Sequence, residues 1–225
     1  MSEIWYFESQ NLFHILCPHK VKDPNVSKGH QMNAYKKGDL IYFPEENAEK
    51  IYLIAQGKVK IGYNTKDGDE VVKAILTKGE LFGEMAILGE EKRSEYAMVA
   101  EDNTIVCQVG LENVQELMKD NKVFSFSIYK LIGMRIEKLE RKLESLMFKD
   151  VRTRLIDFLK DMAQDRGEKI GYEILIRHSL TQKDIASLIG SSRQTVAKLL
   201  NELKEDNQIH YRRNRILIRD IDNLK

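Results

Sequence analysis

Cysteine is scarce: the 225 residues include two, Cys17 and Cys107. A pair so far apart in sequence makes no disulfide framework, and a reducing cytoplasm accommodates it. No apolar run approaches the roughly 20 residues that a membrane-spanning helix needs, so no membrane partner is expected. The stretch MSEIWYFESQNLF carries acids early and lacks the apolar centre of a secretory signal, which again leaves the cytoplasm as the expected location. Low-complexity tracts are missing, and hydrophobic residues make up 42%, enough for ordinary cores in two modest domains. Nucleophile–base and metal constellations are missing in any convincing context, so no catalytic residue is assigned and no enzyme is expected. Glu80, Glu84, Glu90 and Glu91 are abundant acids, but they crowd one turn-rich segment.

Net charge is small as well, at +1, and would not by itself point to nucleic acid. Its distribution is less even. From Val151 to Lys225 fifteen Lys and Arg stand against eleven Asp and Glu, a local +4 that leaves −3 for the residues before. Arg212, Arg213, Arg215 and Arg219 concentrate that excess near the C-terminus. A solvated basic face and a polyanion-binding face both fit this pattern.

The pattern of the chain changes twice. Residues 1–30 read as an irregular N-terminal arm. Residues 31–120 contain short strand-like runs at Asp39–Phe43, Lys50–Ala55, Lys58–Tyr63, Val71–Leu76 and Thr104–Val109, separated by turn signals at Gly38, Gly57, Asp67-Gly68 and Gly79. Short strands at such spacing predict a rolled, jelly-roll-like antiparallel domain. Residues 121–149 turn helical. Tyr129, Ile132, Ile136, Leu139, Leu143 and Leu146 follow the three-and-four spacing of a coiled-coil seam, which predicts a dimer interface. Arg135, Glu137, Lys138, Glu140, Arg141, Lys142 and Glu144 read as its mixed-sign solvated flank. Lys149-Asp150 is the expected hinge to residues 150–225, where a helix (151–164), a strand (172–177), two short helices and a hairpin are expected.

The segment TQKDIASLIGSSRQTVAKLLNELKEDNQI has the logic of a helix-turn-helix. Thr181 is placed to cap the first helix, and Ile185, Leu188 and Ile189 give it an apolar face, with small Ala186 allowing close approach. Gly190 tolerates the positive φ of a sharp turn. Ser191 or Ser192 then caps the second helix. Val196, Leu199, Leu200 and Leu203 face inward, whereas Arg193, Gln194, Ala197 and Lys198 share the opposite face near the helix start. Arg193 suits guanine O6 and N7, Gln194 suits adenine, and Lys198 reaches a base or a phosphate. Ser192, Thr195 and the helix N-terminus suit the backbone. The tip Arg212-Arg213-Asn214-Arg215 of the following hairpin would lie against phosphates. Double-stranded DNA is the expected partner.

From Gln31 to the C-terminus these residues resemble the Crp/Fnr family of regulators. The resemblance implies an α+β chain with a cyclic-nucleotide-binding-type β-roll, a long dimerisation helix and a C-terminal winged helix-turn-helix. It also implies a homodimer, and RNA polymerase as a further partner. In the family the positions matching Arg193, Gln194 and Lys198 read the half-site; the family's cyclic-AMP-binding members carry Glu where Gln194 stands. GELFGEMAILGEEKRS, residues 79–94, resembles the family's phosphate-binding cassette. There Gly83 and Glu84 would start a short helix, with Glu84 on the ribose 2′-hydroxyl. Met85 and Ala86 would offer backbone N–H groups, and Arg93 with Ser94 would hold the cyclic phosphate.

The resemblance implies cyclic AMP or cyclic GMP as an effector, and no cofactor is otherwise required. Three departures stand against it: Glu95 in place of a small residue, Leu139 and Glu140 in place of adenine-contacting Thr and Ser, and Glu45 in place of a turn glycine. Leu139 thus counts in both the effector set and the seam. Alternatives remain open: a constitutive DNA binder with a cassette kept as scaffold by a Glu84–Arg93 pair, a nucleotide-binding module acting through a protein partner, and a metal, redox or haem sensor using His14, Cys17 and His19 beside His30. The cysteine cluster of the family's iron–sulfur sensors is absent.

Overall fold

The computed structural model describes Leu16, residues 30–66 and residues 68–225. His14, Cys17 and His19, and Asp67 of one turn signal, lie outside the described residues. The chain divides into two compact units, Met1–Ile136 and Glu137–Lys225.

The first unit carries strands β1 (His30–Tyr35), β2 (Leu40–Tyr42), β3 (Lys50–Gln56), β4 (Lys58–Asn64), β5 (Glu70–Thr77), β6 (Leu81–Phe82), β7 (Tyr96–Val99) and β8 (Thr104–Gly110). They form two antiparallel four-stranded sheets, ordered β1-β8-β3-β6 and β2-β7-β4-β5. β1, β6 and β7 go beyond the strands that the sequence pattern predicts. β1, reading HQMNAY, has no apolar alternation and is held by a six-residue ladder to β8. β6 has only two residues, too few to show a period.

The alternation of β3 decides how the roll is built. Tyr52 and Ile54 join Tyr42, Val59, Ile61, Leu76, Phe82, Ala97 and Val106 in one core, drawn from both sheets. Ile51 and Leu53 point the other way and join Leu81, Cys107, Val109, Val114, Phe124 and Ile128 in a second. That second cluster is completed by helix α1 (Leu111–Asp120) and the start of α2 (Lys122–Phe148). A strand buried on both faces therefore reads as a continuous apolar run. Cys107 is fully buried in that second cluster.

One turn is enforced by sterics. Gly57 has φ 87°, and a Cβ there would come 2.1 Å from Thr104 Oγ1. Glu45, where the family uses glycine, does adopt a positive φ of 71°. That conformation costs a residue with a Cβ about 1–2 kcal/mol, and the Glu45 N–H donates to the Arg93 carbonyl at 2.9 Å.

α2 runs 27 residues. Phe124 and Ile128 are buried in the first unit, and Ile132 packs partly against the same cluster. Tyr129, Ile136, Leu139 and Leu143 are each more than half exposed. Among the seam residues Ile132 is therefore shared with the subunit's own core. The second unit contains α3 (Val151–Arg166), β9 (Gly167–Ile170), β10 (Glu173–Arg177), α4 (Gln182–Ile189), α5 (Arg193–Glu205), β11 (Ile209–Arg212) and β12 (Arg215–Ile218). Its sheet is ordered β11-β12-β10-β9, and Leu155, Leu159, Ile176, Ile185, Val196, Leu200, Leu203 and Ile216 pack into one core against it. Lys149-Asp150 separates α2 from α3, and the Asp150 side chain caps α3 by accepting from the Thr153 N–H at 2.7 Å.

Candidate nucleic-acid interface and cassette site

Each end of the paired helices α4 and α5 is fixed by a local hydrogen bond. Thr181 caps α4: its hydroxyl accepts from the Asp184 N–H at 3.1 Å, and the Asp184 carboxylate accepts from the Thr181 N–H at 2.8 Å. This reciprocal box satisfies two N–H groups that a bare helix start leaves unpaired. Gly190 ends α4 at φ 66°, and a Cβ there would come 2.6 Å from the Leu146 side chain. Gly190 is thus needed both for its conformation and for the space it leaves. Ser192, of the two candidates, caps α5 by accepting from the Thr195 N–H at 3.0 Å, and its hydroxyl meets that of Thr195 at 2.9 Å.

The capped α5 buries Val196, Leu200 and Leu203 and exposes Arg193, Gln194 and Lys198. Ala197 is half-buried between them. Lys198 is lightly held, 3.7 Å from Glu202. Arg212, Arg213 and Arg215 stand exposed at the hairpin tip, where Asn214 takes the positive φ of 66° that asparagine tolerates.

Sequence reasoning missed the residues that hold this assembly together. Arg154 of α3 donates from Nε to the Ile189 carbonyl at 2.8 Å and from Nη2 to the Gly190 carbonyl at 3.1 Å, satisfying the exposed end of α4. Its Nη1 reaches the Lys149 carbonyl at 2.7 Å. Arg152 binds Glu202 at 3.2 Å, fastening α3 to α5. The Gln182 amide donates to the Tyr211 hydroxyl at 3.1 Å, tying α4 to the wing. An arginine in the first turn of a helix gives no sequence signal for such roles.

In the cassette, β6 leads through Gly83 (φ 74°) into a short 3-10 helix, Glu84–Leu88. A Cβ at Gly83 would sit 3.1 Å from the Tyr52 ring and 3.2 Å from Arg93 Nη1. Arg93 is 2% exposed. Its Nη1 donates to the Gly83 carbonyl at 3.0 Å and lies 3.6 Å from Glu90, while Nη2 donates to the Lys50 carbonyl. The guanidinium centre stands 4.6 Å from the Tyr42 ring centroid and 5.8 Å from that of Tyr52. Among the described residues, Arg93 Nε and the Tyr42 hydroxyl are the buried polar atoms of this site without hydrogen-bond partners. Burial, then the Glu95 carboxylate, pushes the Tyr42 hydroxyl far above its ordinary pKa.

Glu84 is engaged from elsewhere. Arg135 of α2 forms an ion pair with it and also donates to the Leu81 carbonyl. The Glu84–Arg93 pair of the scaffold reading is therefore replaced by two pairs, Glu84–Arg135 and Arg93–Glu90. Arg135, which the sequence pattern places on a solvated flank, lies against the cassette, and its burial lowers the guanidinium pKa. The Ser94 hydroxyl donates to Glu90 at 2.8 Å, and the Ala86 N–H donates to the Gly83 carbonyl at 3.3 Å. Met85 is exposed, as is Leu139 on α2. Glu95, which stands in place of a small residue, is salt-bridged to Lys73.

Among the described residues no group of three or more His, Cys, Asp or Glu could hold a metal ion, and no helix is long and apolar enough to cross a membrane. Residues 32–121 match the model of the cyclic nucleotide-binding domain, and residues 153–225 match that of the Crp-like helix-turn-helix domain. The chain is 31% identical over 195 residues to the cyclic AMP receptor protein of Thermus thermophilus, spanning 87% of this chain and 86% of that one. It is 30% identical over 189 residues to the global nitrogen regulator of Synechococcus elongatus, spanning 84% and 85%. Among solved structures, a CooA mutant from Carboxydothermus hydrogenoformans superposes with a TM-score of 0.76 at 26% identity, covering 95% of this chain and 93% of that one.

Proposed function

We propose, for a chain that belongs to the Crp/Fnr family of DNA-binding transcription regulators, that it binds an inverted-repeat operator as a homodimer under control of an effector in the β-roll. The observation that carries this is the capped α4–Gly190–α5 unit presenting Arg193, Gln194 and Lys198 to solvent, beside a wing bearing Arg212, Arg213 and Arg215. Helix starts of this kind enter the major groove, where Arg193 suits a guanine and Gln194 an adenine. Thr181, Ser192, Thr195 and the wing arginines suit the phosphates. The exposed α2 stripe supports the dimer, whose twofold axis sets half-sites about one helical turn, roughly 34 Å, apart. Domain limits of 1–30, 31–120, 121–149 and 150–225, a cytoplasmic location and contact with RNA polymerase belong to the same reading, as does the absence of any catalytic role.

The effector is a separate question. The match to the cyclic nucleotide-binding domain and the name of one relative, the cyclic AMP receptor protein of Thermus thermophilus, support a cyclic nucleotide. Among the described residues the cassette's key charges are engaged within the chain, Arg135 holding Glu84 and two carbonyls with Glu90 holding Arg93, although Arg93 Nε has no partner. That observation favours a second reading, a constitutive DNA binder whose cassette is scaffold. Fluorescence anisotropy on an operator selected from random DNA, with and without cyclic AMP or cyclic GMP, separates them. A nucleotide that strengthens binding tenfold or more, about 1.4 kcal/mol of coupling, makes the cassette its sensor. Tight binding that neither nucleotide changes supports the second reading.

A further inference from the structure

The wing sheet holds a row of arginines that the recognition helix does not explain. Arg212 lies opposite Arg215 across β11 and β12, and Arg215 lies opposite Arg177 across β12 and β10. Directly opposed residues on antiparallel neighbours share a face. The inner face is marked by buried Ile209, Ile216, Ile218 and Ile176. The register therefore places all three arginines on the outer face, and all three are exposed. One carboxylate reaches the row among the described residues: Glu168, 3.5 Å from Arg177 Nε, with both side chains more than half exposed.

Like charges set directly opposite each other destabilise a sheet. Three in a row, with one loosely held acid, are a cost that the fold itself does not require. The row stands at the hairpin end, where the His178 N–H donates to the Asn214 carbonyl at 3.0 Å. With the Gln182–Tyr211 bond, this fixes the row to the start of α4, so it moves with the DNA-reading helices.

We infer that Arg177 binds a DNA phosphate, extending the wing's anion surface from the hairpin tip across three strands. This rests on the DNA-binding reading above. A surface continuous over three strands fits the extended backbone of a duplex.

The test is fluorescence anisotropy of the full-length protein on the selected operator and on a scrambled duplex, over a series of salt concentrations. Arg177→Gln is expected to weaken binding about three- to tenfold per bound protomer on both duplexes. The log–log salt slope should become shallower by about 0.9 for each phosphate that is no longer neutralised. Glu168→Gln releases Arg177 and should strengthen binding by about twofold. Because the substitution relieves repulsion within the row, the melting midpoint of Arg177→Gln should hold or rise. An unchanged slope and affinity overturns the phosphate assignment. So does a loss of affinity with a lower melting midpoint and no gain from Glu168→Gln, which marks a structural arginine. A wild-type protein with no salt-dependent DNA binding would overturn the DNA reading and the phosphate assignment together. Failure of the assignment alone appears as an Arg177→Gln curve superimposed on a salt-dependent wild-type one.

Discussion

Glutamate at both Leu139 and Leu143 is expected to turn the dimer into a monomer and to weaken operator binding about a thousandfold. Leu139 is 66% exposed and Leu143 59% exposed on α2, and Tyr129 and Ile136 continue the stripe at 64% and 52%. Fully burying a leucine is worth about 1.5–3 kcal/mol, and a symmetric seam buries each residue twice. Four glutamates brought together add repulsion and desolvation to that loss. A monomer also loses the advantage of holding two half-sites at once, on the order of 10²–10⁴ in affinity. Light scattering of the purified variant reads the mass, and anisotropy reads the affinity. Helical content should be unchanged, because neither side chain belongs to a buried cluster of its own subunit. A variant that stays dimeric with full affinity would remove α2 as the interface.

Arg193→Ala is expected to cost about 1–3 kcal/mol for each half-site by removing a bidentate pair of hydrogen bonds to guanine. For a dimer on two half-sites this is roughly thirtyfold to twenty-thousandfold. Arg193 is exposed at the first position of α5, and the core residues Val196, Leu200 and Leu203 lie on the other face, so stability should be little changed. Specificity at the recognised base pair should relax, while affinity for a scrambled duplex falls only a few-fold. Equal losses on operator and scrambled DNA would make Arg193 a phosphate ligand instead.

The parts of the fold that sequence revealed are those ruled by local chemistry. The caps of Thr181 and Ser192 and the positive φ of Gly190 are settled within four residues, so those roles could be read directly, whereas the space Gly190 leaves for Leu146 could not. The seam spacing over Tyr129–Leu146 marks a helix because its period is intrinsic to the backbone. Glu45 was recognisable as a residue in a glycine's place, and its φ of 71° shows the position does require that conformation. What escaped depends on partners distant in sequence. β1 exists because β8 offers it a ladder, not because HQMNAY alternates. Arg135 sits among charges of both signs and reads as solvated, yet its partner Glu84 lies fifty-one residues earlier. Arg93 was identifiable as a charged cassette residue, but not the Tyr42 and Tyr52 rings beneath it. Arg177 reads as an ordinary strand end, because only register brings it beside Arg215.

Dimeric recognition is tested most directly by comparing a selected operator with the same duplex cut to one half-site, using anisotropy for affinity and light scattering for stoichiometry. An inverted repeat, two protomers on the full operator, and binding to the single half-site weaker by about a hundredfold or more are expected. One protomer per duplex, with equal affinity for the full and half operators, would contradict dimeric recognition.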